Sequence, residues 1–206
     1  MLAEPTVFII DDDPDALDSL HCLLESVGLR TQTYTSPAAF LGEYDPQRPG
    51  CIVLDLRMPE MSGLDVQLEL LNRGAQTPVI IVTGHGDVLM CATAFKAGAV
   101  DFIEKPANHQ LLLSHIQRAI DQDRRRREAQ LDVNDLESRL DLLTPREREV
   151  MELLVAGYTL KRIAGDLGIS TQTAAKHRSR VLEKMQVSTD VELVRIVLPL
   201  VDKAAG

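Results

Sequence analysis

No stretch of this chain is long and apolar enough to cross a bilayer, because no run approaches the ~20 residues that a membrane helix requires. Nor does it open like a secreted protein: MLAEPTVFII lacks a basic start and a small-residue cleavage site. Cysteine is scarce. Cys22, Cys51 and Cys91 lie in apolar segments without metal-ligand spacing, and an odd count with no pairing pattern argues against a disulfide framework. Together these absences predict a cytoplasmic protein with reduced thiols. Internal repeats and low-complexity segments are missing as well. So is an excess of positive charge: 22 Lys and Arg stand against 31 Asp and Glu, and a net charge of −9 argues against a simple nucleic-acid binder.

What is present is an ordinary globular composition, 45% hydrophobic and 26% charged, over 206 residues. That length favours two domains. The charge is divided. Residues 1–120 carry 7 basic against 16 acidic side chains, 121–141 carry 5 against 7, and 142–206 carry 10 against 8. An acidic front half joined to a slightly basic tail predicts two different tasks. The boundaries that follow are 1–120, a charged helical linker over 121–139, and 140–206.

In the front half, short apolar runs at 7–10, 30–35, 51–56, 79–83 and 100–105 alternate with helix-period stretches. Leu17, Leu20, Leu24 and Val27 share one helical face, between a start at Asp13-Pro14 and a stop at Gly28. Ser62, Asp87 and Asn108 are expected to open later helices. Five strands alternating with five helices predict an α/β doubly wound parallel sheet, whose functional residues gather at the carboxyl ends of the strands. The segment DQDRRRREAQLDVNDLESRL continues the last helix, and the acidic residues around its arginine run predict a salt-bridged, solvated face.

The strand ends carry unusual residues. Asp11, Asp12 and Asp13 follow the first strand, Asp55 ends the third, Thr83 the fourth and Lys105 the fifth. Several carboxylates at one spot raise one another's pKa unless a cation joins them, and a sulfur-free oxygen set suits Mg²⁺. With Lys105 as a point charge and Thr83 as a hydroxyl donor, this is the make-up of a phosphoryl-transfer site. Asp13, just before Pro14, reads as a helix N-cap.

IIDDDP, VLDLRMPEMSGLD, VTGHGD and AGAVDFIEKP resemble the receiver domain of bacterial two-component response regulators, especially the FixJ-like group, over residues 5–120. The resemblance implies a flavodoxin-like fold in which Asp55 accepts a phosphoryl group from a sensor histidine kinase. It also implies that Asp11, Asp12, Asp55 and the Arg57 main-chain carbonyl hold Mg²⁺, and that Lys105 contacts the phosphoryl oxygens. Thr83 and Phe102 would be the switch pair, and Lys105-Pro106 would be cis. Such a receiver is no dedicated enzyme, although it catalyses its own phosphotransfer and slow dephosphorylation. Pro59 and Gly63 are expected to shape the loop beside Asp55, and Gly84 to leave room for the phosphoryl group. Arg57 and His85 are candidates for tuning its lifetime.

The tail reads as a small all-α domain of four helices. Thr144, Pro145 and Glu147 form a helix start with a capping box, Gly157 a stop, and Gly168-Ile169-Ser170 the turn of a helix-turn-helix. Thr189 and Glu192 predict a second capping box. The helix Thr171–Met185 carries Lys176, Arg178, Arg180 and Lys184, presents Thr171, Gln172, Thr173, His177 and Ser179, and fits a B-DNA major groove. LTPREREV, IAGDLGIS, HRSRVLEKM and ELVRI resemble the LuxR-type, or GerE-type, DNA-binding domain over residues 140–200. The candidate DNA contacts are Lys161, Ser170, Thr171, Thr173, Lys176, His177, Arg178 and Arg180, with His177 ranked below Arg178. Ala175 offers only a thymine-methyl contact.

The reading that results is a response regulator that dimerises on phosphorylation, binds double-stranded DNA and regulates transcription, with the transcription machinery as a further expected partner. Two rivals are weaker. A Mg²⁺-dependent phosphatase using an aspartyl phosphate would need a late acidic pair, for which only Asp121 and Asp123 are at hand. A receiver acting only through protein partners would lack salt-sensitive duplex binding.

Overall fold

The computed structural model describes residues 3–84 and 88–204. Five strands, β1 (Thr6–Ile10), β2 (Arg30–Tyr34), β3 (Gly50–Asp55), β4 (Val79–Thr83) and β5 (Asp101–Glu104), form one parallel sheet in the order β2-β1-β3-β4-β5. The helices α1 (Pro14–Ser26), α2 (Pro37–Glu43), α3 (Gly63–Asn72), α4 (Val88–Lys96) and α5 (His109–Asp141) alternate with the strands. The sheet is apolar on both faces because helices cover both, as parallel sheets require. Phe8, Ile10, Ile52, Leu54 and Ile81 pack with Phe40, Val66, Leu70 and Ala94 on one side. Val7, Ile9, Val53, Ile80 and Val82 pack with Leu17, Leu24, Leu112 and Ile116 on the other. Each fully buried aliphatic side chain contributes about 1.5–3 kcal/mol, so these two layers drive the fold.

Local chemistry sets the helix starts. Asp13 accepts from the Asp15 amide ahead of Pro14, and Ser62 and Asp65 form a complete capping box. Asn108 accepts from the Gln110 and Leu111 amides. The expected helix start at Asp87 lies outside the described residues, as does His85.

The chain divides into two units, Met1–Arg127 and Glu128–Gly206. Residues 121–127, expected in a solvated linker, belong to the first. The reason is Asp123, which is 1% exposed: its Oδ2 accepts from the Gly50 amide at 2.9 Å and from Arg127 Nε at 2.7 Å, while its Oδ1 accepts from Arg126. Arg127 also donates to the carbonyls of Pro46, Gln47 and Arg48. Gly50 can be nothing else. Its φ is +144°, and a Cβ there would stand 1.8 Å from the Thr6 carbonyl oxygen.

The second unit holds α6 (Pro145–Val155), α7 (Leu160–Asp166), α8 (Thr171–Lys184) and α9 (Asp190–Ala204) around Val150, Leu154, Ile163, Ala174, Val181, Met185, Leu193 and Val197. The capping box of Thr144 and Glu147 is present. At the start of α9, Glu192 donates its amide to Thr189, but its carboxylate accepts from Ser188 rather than from the Thr189 amide. Glu147 is buried and accepts from Lys184 Nζ at 2.6 Å. Lys184 holds its carboxyl down at about 2, against the opposing effect of burial. A depressed carboxylate pKa stabilises the fold fully above the ordinary value of 4.5, and the effect fades as pH falls toward about 2. Glu147→Gln should therefore melt lower than the parent chain at pH 7, by about 1–3 kcal/mol. That gap should narrow below pH 4.5; a gap that did not change with pH would remove the ion pair as its source.

Candidate functional site

Asp55 ends β3 and Asp11 follows β1, the adjacent strand, so the register places both carboxylates at the same edge of the sheet. Lys105, just past β5, reaches back across β4 to bridge them: its Nζ lies 2.6 Å from Asp11 Oδ2 and 2.8 Å from Asp55 Oδ1. The remaining oxygens accept from the main chain, Asp55 Oδ2 from the Arg57 amide at 2.6 Å and Asp11 Oδ1 from the Asp13 amide at 3.0 Å. Thr83, at the end of β4 between the strands that lead to Asp55 and Lys105, is buried, and its carbonyl accepts from the Lys105 amide at 2.7 Å. Asp12 and Arg57 are exposed beside this cluster.

Electrostatics follow from the geometry. Burial pushes the Asp55 pKa up, and the Lys105 hydrogen bond and charge only partly offset it. Burial would lower Lys105, but hydrogen bonds and charges from Asp11 and Asp55 overcome this and raise it. The ammonium thus stands where two buried carboxylates most need a cation. Among the described residues, no three Asp, Glu, His or Cys side chains converge as a ready-made metal cluster. The donor set still fits a hard ion: Asp11 and Asp55 offer only oxygen, and Asp12 stands beside them at the surface. Asp11, Asp55 and Lys105 also line one end of a cavity of about 410 Å³, otherwise walled mainly by apolar residues such as Val53, Val82, Leu20 and Leu112.

The loop after Asp55 turns back on itself. The Gly63 amide donates to the Leu56 carbonyl at 2.9 Å, and a Cβ on Gly63 would stand 2.3 Å from the Asp55 carbonyl oxygen. Gly63→Ala must therefore push the loop off the Asp55 backbone. A loss of about 1–3 kcal/mol in stability is expected, with slower reaction of Asp55 toward a small phosphodonor. Unchanged melting and unchanged labelling rate would show that the loop yields without cost. A Cβ on Gly84 meets nothing within 4 Å among the described residues, in keeping with space beside Thr83. Phe102 packs partly buried against the sheet core, and Lys105-Pro106 is cis.

In the second unit, Ser170 caps α8, accepting from the Thr173 amide at 3.0 Å. Lys161, Ser170, Thr171, Lys176 and Arg180 are exposed, and Thr173 is half-buried. Two expected contacts face elsewhere. His177 has a buried Nδ1 without a hydrogen-bond partner, and Arg178 Nε donates to both carboxylate oxygens of Asp190, at 2.8 and 3.0 Å. Gln172 and Ser179, absent from the candidate contacts, are exposed and fall with Lys176 and Glu183 on one stripe. Helical spacing could have shown this: Ala174, Arg178, Val181 and Met185 share the opposite, core-facing stripe. Lys184 is likewise occupied, by Glu147 and the Leu142 carbonyl.

A parallel sheet with two carboxylates, a lysine and a threonine at its carboxyl edge, followed by a helix-turn-helix, defines the class. This chain belongs to the response regulators, matching the response regulator receiver domain over residues 7–117 and the LuxR family of bacterial regulatory proteins over residues 141–197. It is 39% identical to the response regulator protein TmoT of Ectopseudomonas mendocina, over 97% of this chain and 90% of that protein. It is 42% identical to the transcriptional regulatory protein FixJ of Azorhizobium caulinodans, over 93% and 91% respectively. The solved structure of the response regulator StyR superposes with a TM-score of 0.89 at 38% identity, covering 96% of this chain and all of that one. The phosphatase alternative falls with this assignment, and its required late acid, Asp123, is engaged at the start of β3, the end opposite Asp55.

Proposed function

We propose that Asp55 takes a phosphoryl group from a phosphohistidine of a sensor kinase and that the acyl phosphate promotes pairing of two copies on DNA. The observation that carries this reading is the Lys105 bridge between Asp11 and Asp55 at the carboxyl edge of the sheet. An oxygen of Asp55 attacks phosphorus as the P–N bond to histidine breaks, and the imidazole leaves with the electron pair. Lys105, released from Asp55, follows the new phosphoryl oxygens. Asp11, Asp12, Asp55 and the Arg57 carbonyl would hold Mg²⁺, whose chemistry here is charge neutralisation. Thr83 and Phe102 are the switch pair, biasing a pre-existing equilibrium through contacts that differ between its two states. Slow hydrolysis of the acyl phosphate would reset the chain.

Within α8, the exposed stripe of Gln172, Lys176 and Ser179 is the part that supports base reading, with Thr171, Arg180 and Lys161 on phosphates. Glu183, exposed at the far end of that stripe, would repel phosphate, so the part of α8 ahead of it, Thr171 to Ser179, enters the groove. Two copies imply a near-palindromic operator with half-sites about 10 bp apart. Among the described residues no helix is long and apolar enough to cross a membrane, and the reading sets the work in the cytoplasm.

The test is to treat the chain and Asp55→Asn with Mg²⁺ and a small acyl-phosphate donor, then follow intact mass, dimer fraction and duplex binding against salt. A phosphate-sized gain confined to the parent chain, with dimer and with duplex binding that weakens steeply in salt, is expected. Each phosphate contact should add about 0.9 to the log–log salt slope. Labelling with no duplex binding at any salt would favour the receiver that acts through protein partners alone.

A further inference from the structure

On α8, Arg178 lies on the stripe of Ala174, Val181 and Met185, all buried. Its guanidinium therefore leaves the helix toward the body of the unit and not toward a groove. There it meets Asp190, the first residue of α9, whose two carboxylate oxygens both accept from Arg178 Nε. Lys176 and Arg180, its nearest cationic neighbours on α8, are exposed and have no acidic partner within salt-bridge reach among the described residues. So the arginine that sequence position makes the most obvious DNA contact is the one already engaged. An ion pair one-third exposed adds little stability by itself. Its geometric effect is larger, because the single Nε–H, shared between both oxygens of one carboxylate, ties the Nε edge of the planar guanidinium to the first residue of α9.

We propose that Arg178 is a positioning residue: clamped by Asp190, it fixes how α8 is presented relative to α9, so that Gln172, Lys176 and Ser179 meet base edges in register. This rests on the DNA-reading function proposed above. It assigns specificity to a pair that touches no base. Losing either partner should leave α8 folded but less well aimed, and binding to the preferred duplex should fall while binding to arbitrary duplex persists.

The experiment uses the full chain, donor-treated, with two probes: a duplex enriched by the parent chain from a random pool, and a scrambled duplex of equal length. The readout is the ratio of the two affinities for Arg178→Gln, Asp190→Asn and the double variant, with melting temperature measured alongside. Each single variant is expected to lose about tenfold in the ratio, and the double variant about tenfold again and not a hundredfold, because a coupled pair is removed only once. Arg178→Lys, which keeps the charge but not the paired geometry, should recover only part of the ratio. If Arg178→Gln relaxes preference at a single base pair and Asp190→Asn leaves the ratio untouched, Arg178 is a direct reader and the proposal fails. It also fails if melting temperature and both affinities drop together at a constant ratio, which is what a merely structural pair would give. A parent chain that cannot tell the two duplexes apart would overturn the DNA reading itself, and this proposal with it.

Discussion

Asp123→Ala should lower the stability of the first unit by about 3–5 kcal/mol, the range for breaking a buried ion pair while leaving its partners in place. The carboxylate serves three donors at once: the Gly50 amide, Arg126 and Arg127. Removing it strands a buried main-chain N–H where Gly50 meets Thr6, and no side chain can fill the gap because Gly50 itself tolerates no Cβ. Arg127 would keep its three carbonyl acceptors but lose its counter-charge. Asp123→Asn, which can still accept from Gly50, should lose less than Asp123→Ala. Urea unfolding of the first unit checks both; equal midpoints for the parent chain and Asp123→Ala would show that solvent replaces the carboxylate without loss.

Lys105→Met, measured without divalent cation, should cost about 2–4 kcal/mol at neutral pH. With the ammonium gone, Asp11 and Asp55 face each other with no cation between them, and both burial and mutual repulsion push the Asp55 pKa further up. A carboxyl whose folded pKa lies above its ordinary value favours the folded state at low pH and opposes it as pH rises through that window. The variant should therefore be relatively more stable toward pH 4 than at pH 8. Asp55→Asn in the same background should recover much of the loss while abolishing phosphoryl uptake. In the otherwise unaltered chain, Asp55→Asn should raise the melting point, since burial of the carboxylate it removes opposes the fold. A lower melting point for Asp55→Asn would mean that the Lys105 bridge outweighs burial.

The meeting of Asp11, Asp55 and Lys105 was legible because these residues sit where strand periodicity ends, and parallel strands leave little freedom about which ends meet. Asp11, Asp55, Thr83 and Lys105 followed from that rule together with the motif resemblance. The tail was legible as a set of helices, since Thr144, Pro145 and Glu147 spell out a start in local chemistry alone. What sequence did not reveal was partner choice over distance. The arginines of DRRRRE read as salt-bridged on a solvated face, and Arg126 and Arg127 do pair with Asp123 on their own helix; what stays hidden until the fold is seen is that Asp123 is buried against the Gly50 amide, 73 residues away in the chain. Arg178 reads as a DNA contact until Asp190 is seen across the turn. Charge patterning along a chain cannot distinguish a cation that meets solvent from one whose counter-ion arrives from another element.

β3 is six residues long, begins at the Gly50 amide that Asp123 holds, and ends in Asp55. One bridge from α5 therefore secures the foot of the strand whose tip carries Asp55. For anyone building chimaeric sensors, this sets the splice junction. A receiver module cut after Ile120 would keep every residue of the acidic edge yet leave the foot of β3 untethered. Moved seven positions later, after Arg127, the same cut would carry the tether along with the cargo.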